Sequence, residues 1–395
     1  MPTTSPLSKR IKRHVIGRPH LFFAATSPGF ENSCHQELLN HLPDIRQASI
    51  IPGGVEFEGR LEDCFHANLH LHLPNRILMR INTFKATNFR QLEKKTIDMP
   101  WELYLHPQTR LKVHVTTRHC RLHHSSAIAE RIERAVSERL ADFTFELEIP
   151  GTTGGHQQIY MRGVDDHFSV SIDSSGDLLY KRGLKVHSGK APLRETLAAG
   201  ALMLAGYDGR EPLLDPLCGS GTFSLEAALM AKHIPAGWFR DFAFTAWPSF
   251  IEKRWNYIRR QAESGIVQFQ KPMIFASDTD RDACQKFERC IENYHLTDAV
   301  QVHQIDFFDL NPQELTDRIG TICINPPYGR RLGAKQDSEE FFHAIGIKLR
   351  QAYKGWKLAL IAPNKKVVKM LPFQTQAIPV WHGGLKLRLL IGKIQ

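Results

Sequence analysis

Asn325-Pro326-Pro327-Tyr328 sets a hydrogen-bond acceptor, a rigid backbone and an aromatic face side by side. That combination suits chemistry on a planar amino group. The Asn325 side-chain oxygen and the Pro326 main-chain oxygen would accept from an exocyclic amino group, drawing its lone pair out of conjugation while Tyr328 stacks on the base. Each proline fixes its own φ and restricts the residue before it, so Asn325 is held extended with its amide pre-aimed. Pre-aimed groups are what catalysis by positioning requires. The bland alternative is a strand-to-loop turn, since Asn-Pro is a common turn starter.

A second segment upstream decides against the bland alternative. Asp215-Pro216-Leu217-Cys218-Gly219-Ser220-Gly221-Thr222 follows a short apolar run and opens a helical one. Gly219 and Gly221 allow a tight turn and close backbone approach, and the helix N-terminus supplies free N–H donors to a ligand. The segment lacks the third glycine of a pyrophosphate-binding loop, because position 224 is Ser224, and it lacks a P-loop lysine. Asp278 closes a further strand where a carboxylate accepts both hydroxyls of a ribose. Its neighbour Asp280 reads as the N-cap of the next helix. Asp306 is placed to accept from an adenine amino group, with Phe307 packing near the ring. Cys218 and Cys323 lack a basic partner that would activate a thiolate, so they read as packing residues.

The elements that must hold these residues alternate. Strands are expected at 212–214, Met273–Ser277, Val300–Ile305, Ile319–Ile324 and Leu358–Ala362. Helices are expected at Thr222–His233, Arg281–Tyr294 and Ser338–Tyr353, the last with Ser338 as its N-cap. This rhythm implies a parallel, doubly wound sheet, in which ligands bind outside the C-terminal strand ends. Two last strands, Ala377–Trp381 and Leu385–Ile391, flank Gly383-Gly384 as an antiparallel hairpin. A parallel sheet closed in that way resembles the Rossmann-like S-adenosylmethionine-dependent methyltransferases.

The N-terminal half is α+β, with no catalytic signature. Strands are expected at Phe22–Thr26, Ser49–Phe57, Leu111–Thr117 and Phe168–Asp173, and helices at Glu31–His41, Leu61–His72 and Ser125–Leu140.

With 395 residues, two or three domains are expected. No run approaches a bilayer span, and the basic N-terminus lacks the apolar core of a secretory signal, so a cytoplasmic protein is expected. Seven scattered cysteines without a CxxC argue against disulfides or zinc, and no metal is expected. The net charge of +10 is concentrated at the ends. Residues 351–395 carry eight Lys/Arg and no Asp/Glu, and residues 1–30 carry five basic residues and no acid. Such segments fit a polyanion partner.

Further segments carry a closer resemblance. Ala191-Pro192-Leu193-Arg194-Glu195-Thr196-Leu197-Ala198, the loop 215–222, Phe244 to Phe250 and Asn325 to Gly333 are similar to the THUMP-containing guanine-N2 RNA methyltransferases, above all the bacterial enzymes acting on 23S ribosomal RNA. Ala67-Asn68-Leu69, Pro74 to Leu78 and Leu122 to Ser125 look like that family's THUMP region. The resemblance implies a basic extension and ferredoxin-like domain over 1–64, an RNA-gripping THUMP domain over 65–180 and a methyltransferase domain over 181–395.

By this reading S-adenosylmethionine contacts Asp215, Cys218, Gly219, Ser220, Gly221, Thr222, Asp278, Asp306 and Phe307. Asn325, Pro326, Pro327 and Tyr328 hold the amino group, and Lys181, Arg182, Lys185, Arg194 and Arg330 meet RNA. One methyltransferase domain implies one modification, and no obligate protein partner is inferred. Transfer RNA in place of ribosomal RNA, adenine-N6 methylation of DNA and glutamine-N5 methylation of protein remain open alternatives.

Overall fold

The computed structural model describes residues 5–45, 47–143, 156–184, 193–327 and 335–395, without the side chains of 335–338 and 365. Within these segments the chain forms two compact units.

The first unit comprises residues 1–26, 34–179 and 240–259. Its strands are β1 (His20–Thr26), β2 (Gln47–Ile51), β3 (Gly54–Gly59), β4 (Pro74–Lys85), β5 (Arg110–Arg118), β6 (His156–Val164) and β7 (His167–Asp173), in the order β2-β3-β1-β4-β7-β6-β5. All neighbours run antiparallel except β5 and β6. The single strand expected over Ser49–Phe57 is two strands, because Pro52-Gly53 makes a turn in which Gly53 sits at φ +90. The helix Glu31–His41 agrees with expectation, as does Ser125–Ala141 to within a residue. A boundary at 64/65 would cut through the helix Leu61–His70.

Residues 240–259 fall by chain position within the expected methyltransferase half, yet they complete this first unit. The Arg240 guanidinium donates to the carbonyls of Ser175, Asp177 and Leu178. Phe244 stacks on Phe65 at 4.3 Å, and the Trp247 indole donates to Gln157 at 2.8 Å. A run as aromatic as Phe242 to Phe250 needs a deep apolar seat, and the first unit supplies it.

The second unit comprises residues 27–33, 180–239 and 260–395. Its strands are β8 (Leu213–Asp215), β9 (Ile274–Asp278), β10 (Val300–Gln304), β11 (Thr321–Ile324), β12 (Lys357–Ala362), β13 (Gln376–His382) and β14 (Leu385–Lys393). Their order is β10-β9-β8-β11-β12-β14-β13, parallel as far as β12 and antiparallel thereafter. Every residue of β8 and β11 is buried, as continuous apolar runs in the centre of a parallel sheet require. The strand order reverses between β8 and β11, and a crevice opens at such a reversal. The helix expected to start at Ser338 starts at Lys335 instead, so Ser338 is not its N-cap.

Candidate functional site

Four adjacent parallel strands bring the sequence-identified polar residues to one edge of the second sheet. In spatial order, Asp306 follows β10, Asp278 ends β9, Asp215 ends β8 and Asn325 follows β11. Residues scattered over a hundred positions of chain thus share the C-terminal strand ends.

The loop after β8 is held by hydrogen bonds that its own sequence encodes. Asp215 is 1% exposed, and its carboxylate accepts from both the backbone N–H and the hydroxyl of Ser224, at 3.3 and 2.9 Å. Burial pushes the Asp215 carboxyl up to about 7, the hydrogen bonds from Ser224 opposing. Asp278 accepts from the Gly219 N–H at 2.9 Å and from the Asp280 N–H at 3.0 Å. Asp280 caps the helix Arg281–Asn293 by accepting from Asp282 and Ala283, as expected of it.

The two glycines have different duties. Gly221 stands at φ +75, and a Cβ there would meet the buried Phe287 ring at 2.3 Å, so it lets the loop close against the next helix. Gly219 stands at φ +53 and a Cβ there would meet nothing within 4 Å, so it borders open space. Ser220 and Thr222 are half-buried beside it, and Gly221 has no side chain to cap the helix Thr222–Ala231, whose Ser224 N–H is taken by Asp215 instead.

Asn325 supplies the matching acceptor. Its Oδ1 is buried and accepts no hydrogen bond among the described residues. A buried acceptor left open in this way costs stability, about 1–3 kcal/mol, unless a ligand donor satisfies it. Pro326 and Pro327 follow in place, whereas Tyr328 and Arg330 lie outside the described residues, as does Lys185.

Several residues sit elsewhere than the sequence suggested. Phe307 is 1% exposed in the core, stacked towards Tyr353 at 6.2 Å, and its neighbour Phe308 is the outward ring at 38%. Asp306 accepts from the Phe308 N–H and so folds its own turn. Cys218 is 8% exposed and packs in the apolar core, with burial raising its thiol well above the ordinary range, and the same holds for the fully buried Cys323. Neither thiol is poised as a nucleophile.

Arg182, expected at an RNA surface, is buried in a two-point ion pair with Glu226 at 2.9 and 3.0 Å. Lys181 and Arg194 are exposed, with Arg194 over the Tyr180 ring. Sequence reading missed Glu226 and the nearby Glu195, whose carboxyl burial raises to about 7. The signal was present in Glu226 itself, a charge inside the apolar run Thr222–Ala231. Among the described residues no group of three His, Cys, Asp or Glu is placed to hold a metal ion, and no helix is long and apolar enough to cross a membrane.

A parallel sheet closed by an antiparallel hairpin, with a glycine loop at the reversal of strand order, defines a Rossmann-like S-adenosylmethionine-dependent methyltransferase. The sequence profile of the family "RMKL-like, methyltransferase domain" matches residues 182–386, that of "RlmL ferredoxin-like domain" matches 21–78, and that of "THUMP domain" matches 86–153. A Synechocystis sp. protein, named provisionally as an RNA methyltransferase, is 32% identical over 99% of both chains. The ribosomal RNA large subunit methyltransferase K/L of Allochromatium vinosum is 29% identical over 95% of this chain and 52% of its own, so the chain spans about half the length of that relative. A crystal structure of a methyltransferase complexed with S-adenosylhomocysteine is 25% identical, with a TM-score of 0.82 over 96% of this chain and 99% of its own. The chain belongs to the RMKL-like methyltransferase family, with ferredoxin-like and THUMP regions preceding the catalytic one.

Proposed function

We propose that this protein methylates the exocyclic N2 of a guanosine in RNA, ribosomal RNA of the large subunit in the first instance. The observation that carries the reading is the buried, unsatisfied Oδ1 of Asn325 at the end of β11, two proline-stiffened residues from an aromatic. An acceptor held without a donor is complementary to a hydrogen-bond donor, and an exocyclic amino group is one. The RNA part rests on the THUMP region and on the names of the relatives, and the N2 position on the sequence resemblance.

The open space at Gly219, the Asp278 carboxylate that fixes its amide, and the start of the helix after Gly221, where the N-cap residue is a glycine, fit an S-adenosylmethionine. When bound it supplies an electrophilic methyl group. Gly219, Ser220, Gly221 and Thr222 would form its cradle, Asp278 would accept from its ribose and Asp306 from its adenine. Asp215 would act behind them, tying the loop to the helix.

Asn325 Oδ1 and the Pro326 carbonyl then accept from the two N–H bonds of the amine and turn its lone pair towards the methyl donor. Tyr328 stacks on the base. Rate acceleration comes from orientation and from acceptors that need no reorganisation. The base must leave its stack to reach them. On this reading the ferredoxin-like and THUMP regions grip RNA, with Lys181, Lys185, Arg194 and Arg330 as further phosphate contacts and no protein partner required.

Purified protein is incubated with labelled S-adenosylmethionine and separate ribosomal RNA, transfer RNA, DNA and release-factor fractions, followed by nucleoside mass spectrometry. N2-methylguanosine in ribosomal RNA is expected. The same nucleoside in transfer RNA alone would move the substrate, and label only in DNA or protein would overturn the proposal.

A further inference from the structure

The first unit carries a second candidate binding surface. β5 and β6 run parallel in register, pairing Lys112 with Gln158, His114 with Tyr160 and Thr116 with Arg162. Register continues from Tyr160 to Ser171 on β7, and separately from Phe23 on β1 to Leu78 on β4. Paired residues share a face of the sheet. On that face lies a groove of about 550 Å³, bordered by Phe23, Leu78, Arg80, His114, Tyr160 and Arg162.

Two features give the groove a chemical character. The His114 and Tyr160 rings lie nearly flat against each other, 4.7 Å apart at 16°. Gln158 holds both, bonded to the His114 ring at 3.0 Å and accepting from the Tyr160 hydroxyl at 3.2 Å, and the Arg76 guanidinium sits 5.3 Å over Tyr160. Around these rings Arg110, Lys112, Arg118 and Arg162 are exposed, and neither β5 nor β6 contains an Asp or Glu. Two acids elsewhere on this face are already engaged, Glu56 with Arg80 and Asp173 with Arg76, and Glu58 lies away from the rings on β3. Fixed flat rings ringed by cations match a polyanion that carries planar groups.

We propose that this groove binds an unpaired stretch of RNA, with a base against the Tyr160–His114 platform and its phosphates on Lys112 and Arg162. Stacking platforms and basic grooves are the means by which single strands are held, and a duplex hides the base faces that such a platform needs. The proposal rests on the reading that RNA is the substrate. It adds that the substrate is gripped through a single-stranded segment, by residues distant in sequence from the methyl-transfer motifs.

The test is fluorescence anisotropy of the full-length protein with a short labelled single-stranded RNA, the same sequence as a duplex, and an acidic peptide. Tyr160→Leu and His114→Ala are each expected to weaken single-strand binding by about tenfold, in the range of one stacked base, and to leave duplex binding unchanged. The exposed pair Lys112→Glu and Arg162→Glu should weaken it further and flatten its salt dependence by about one unit of slope for each phosphate no longer held. S-adenosylmethionine affinity, measured by calorimetry, should match the parent chain in every variant. Wild-type affinity in both ring variants, or displacement of the RNA by the acidic peptide, would overturn the proposal. If the parent chain methylates no RNA while the ring variants lose single-strand binding, the proposed activity falls and the groove stands; if the enzyme is active and the ring variants bind as the parent does, the activity stands and the groove falls.

Discussion

Two seven-stranded sheets in one chain use their residues in opposite ways. The second unit is parallel through five strands, its central strands are buried throughout, and its chemistry gathers at the strand ends. The first unit is almost wholly antiparallel, and its candidate ligand groups lie across a face, on alternate residues of β5 and β6. In a parallel sheet both faces are covered, so polar side chains collect where strands stop. An antiparallel sheet leaves a face for them to share. Chemistry at strand ends appears in sequence as compact motifs, whereas chemistry across a face is spread over strands whose pairing has to be known.

The largest expected effect belongs to the strand-end site. Asn325→Ala should lower kcat by about 10² to 10³, the usual consequence of losing one preorganised polar contact to the reacting group. Thermal stability of the free protein should hold or rise, because Oδ1 gives up no described partner and its unsatisfied burial is relieved, and S-adenosylmethionine affinity should hold. Single-turnover methyl transfer to RNA checks this, and an Asn325→Ala protein of normal rate would remove the basis for placing chemistry at that strand end.

The Arg182–Glu226 pair separates structure from binding at the start of the second unit. Arg182→Ala leaves a carboxylate buried without its ion pair and should cost about 3–5 kcal/mol in urea unfolding. Replacing both partners by apolar residues of similar size should recover much of that loss. Arg194→Ala, which removes an exposed cation over Tyr180, should cost about 0.5–1 kcal/mol. Equal losses for Arg182 and Arg194 would mean that Arg182 is not the structural residue its burial makes it.

The glycines of the loop offer the same contrast within four residues. Gly221→Ala should cost about 2–4 kcal/mol, from its contact with the Phe287 ring and its positive φ. Gly219→Ala meets only open space and should cost about 1 kcal/mol for its φ, yet weaken S-adenosylmethionine binding. Thermal melts with and without the cofactor separate the two. Equal cofactor affinity for parent and Gly219→Ala would take Gly219 out of the cradle.

The second sheet was legible because β8, β9, β11 and β12 carry short apolar runs, with a polar residue ending β8 and β9 and following β11, and because Asn325-Pro326-Pro327 and the glycine loop have few structural readings. Boundaries there moved by a residue or two. The first unit was less legible for physical reasons. β4 and β6 mix polar with apolar residues, since one face is packed and the other carries ligand-type groups, and neither stands out as a strand. Pro52-Gly53 falls inside the strand expected over Ser49–Phe57, though a glycine after proline is a turn signal. Chain position alone puts the aromatic run from Phe242 with the second unit, and only packing shows that it returns to the first. Arg182 reads as a surface cation because nothing local marks a partner 44 residues away.

A pH dependence is also built into the strand-end site. Burial holds the Asp215 carboxyl at about 7 in the folded chain, against an ordinary value of 3.8. The folded state therefore binds a proton that the unfolded chain releases. The stability this supplies is fully present below about pH 4 and is lost as pH rises through about 7. Asp215→Asn keeps an oxygen to accept from Ser224 but cannot ionise, so it escapes the loss. Its melting temperature should rise relative to the parent between about pH 4 and pH 7 and then stay ahead by a constant margin. Glu195, at about 7, and Asp173, at about 6, titrate in both proteins and cancel from the difference. Calorimetric melts across that window decide the point: parallel profiles would mean that Asp215 is already charged in its buried seat, and that the loop beside Gly219 is wetter than its hydrogen bonds imply.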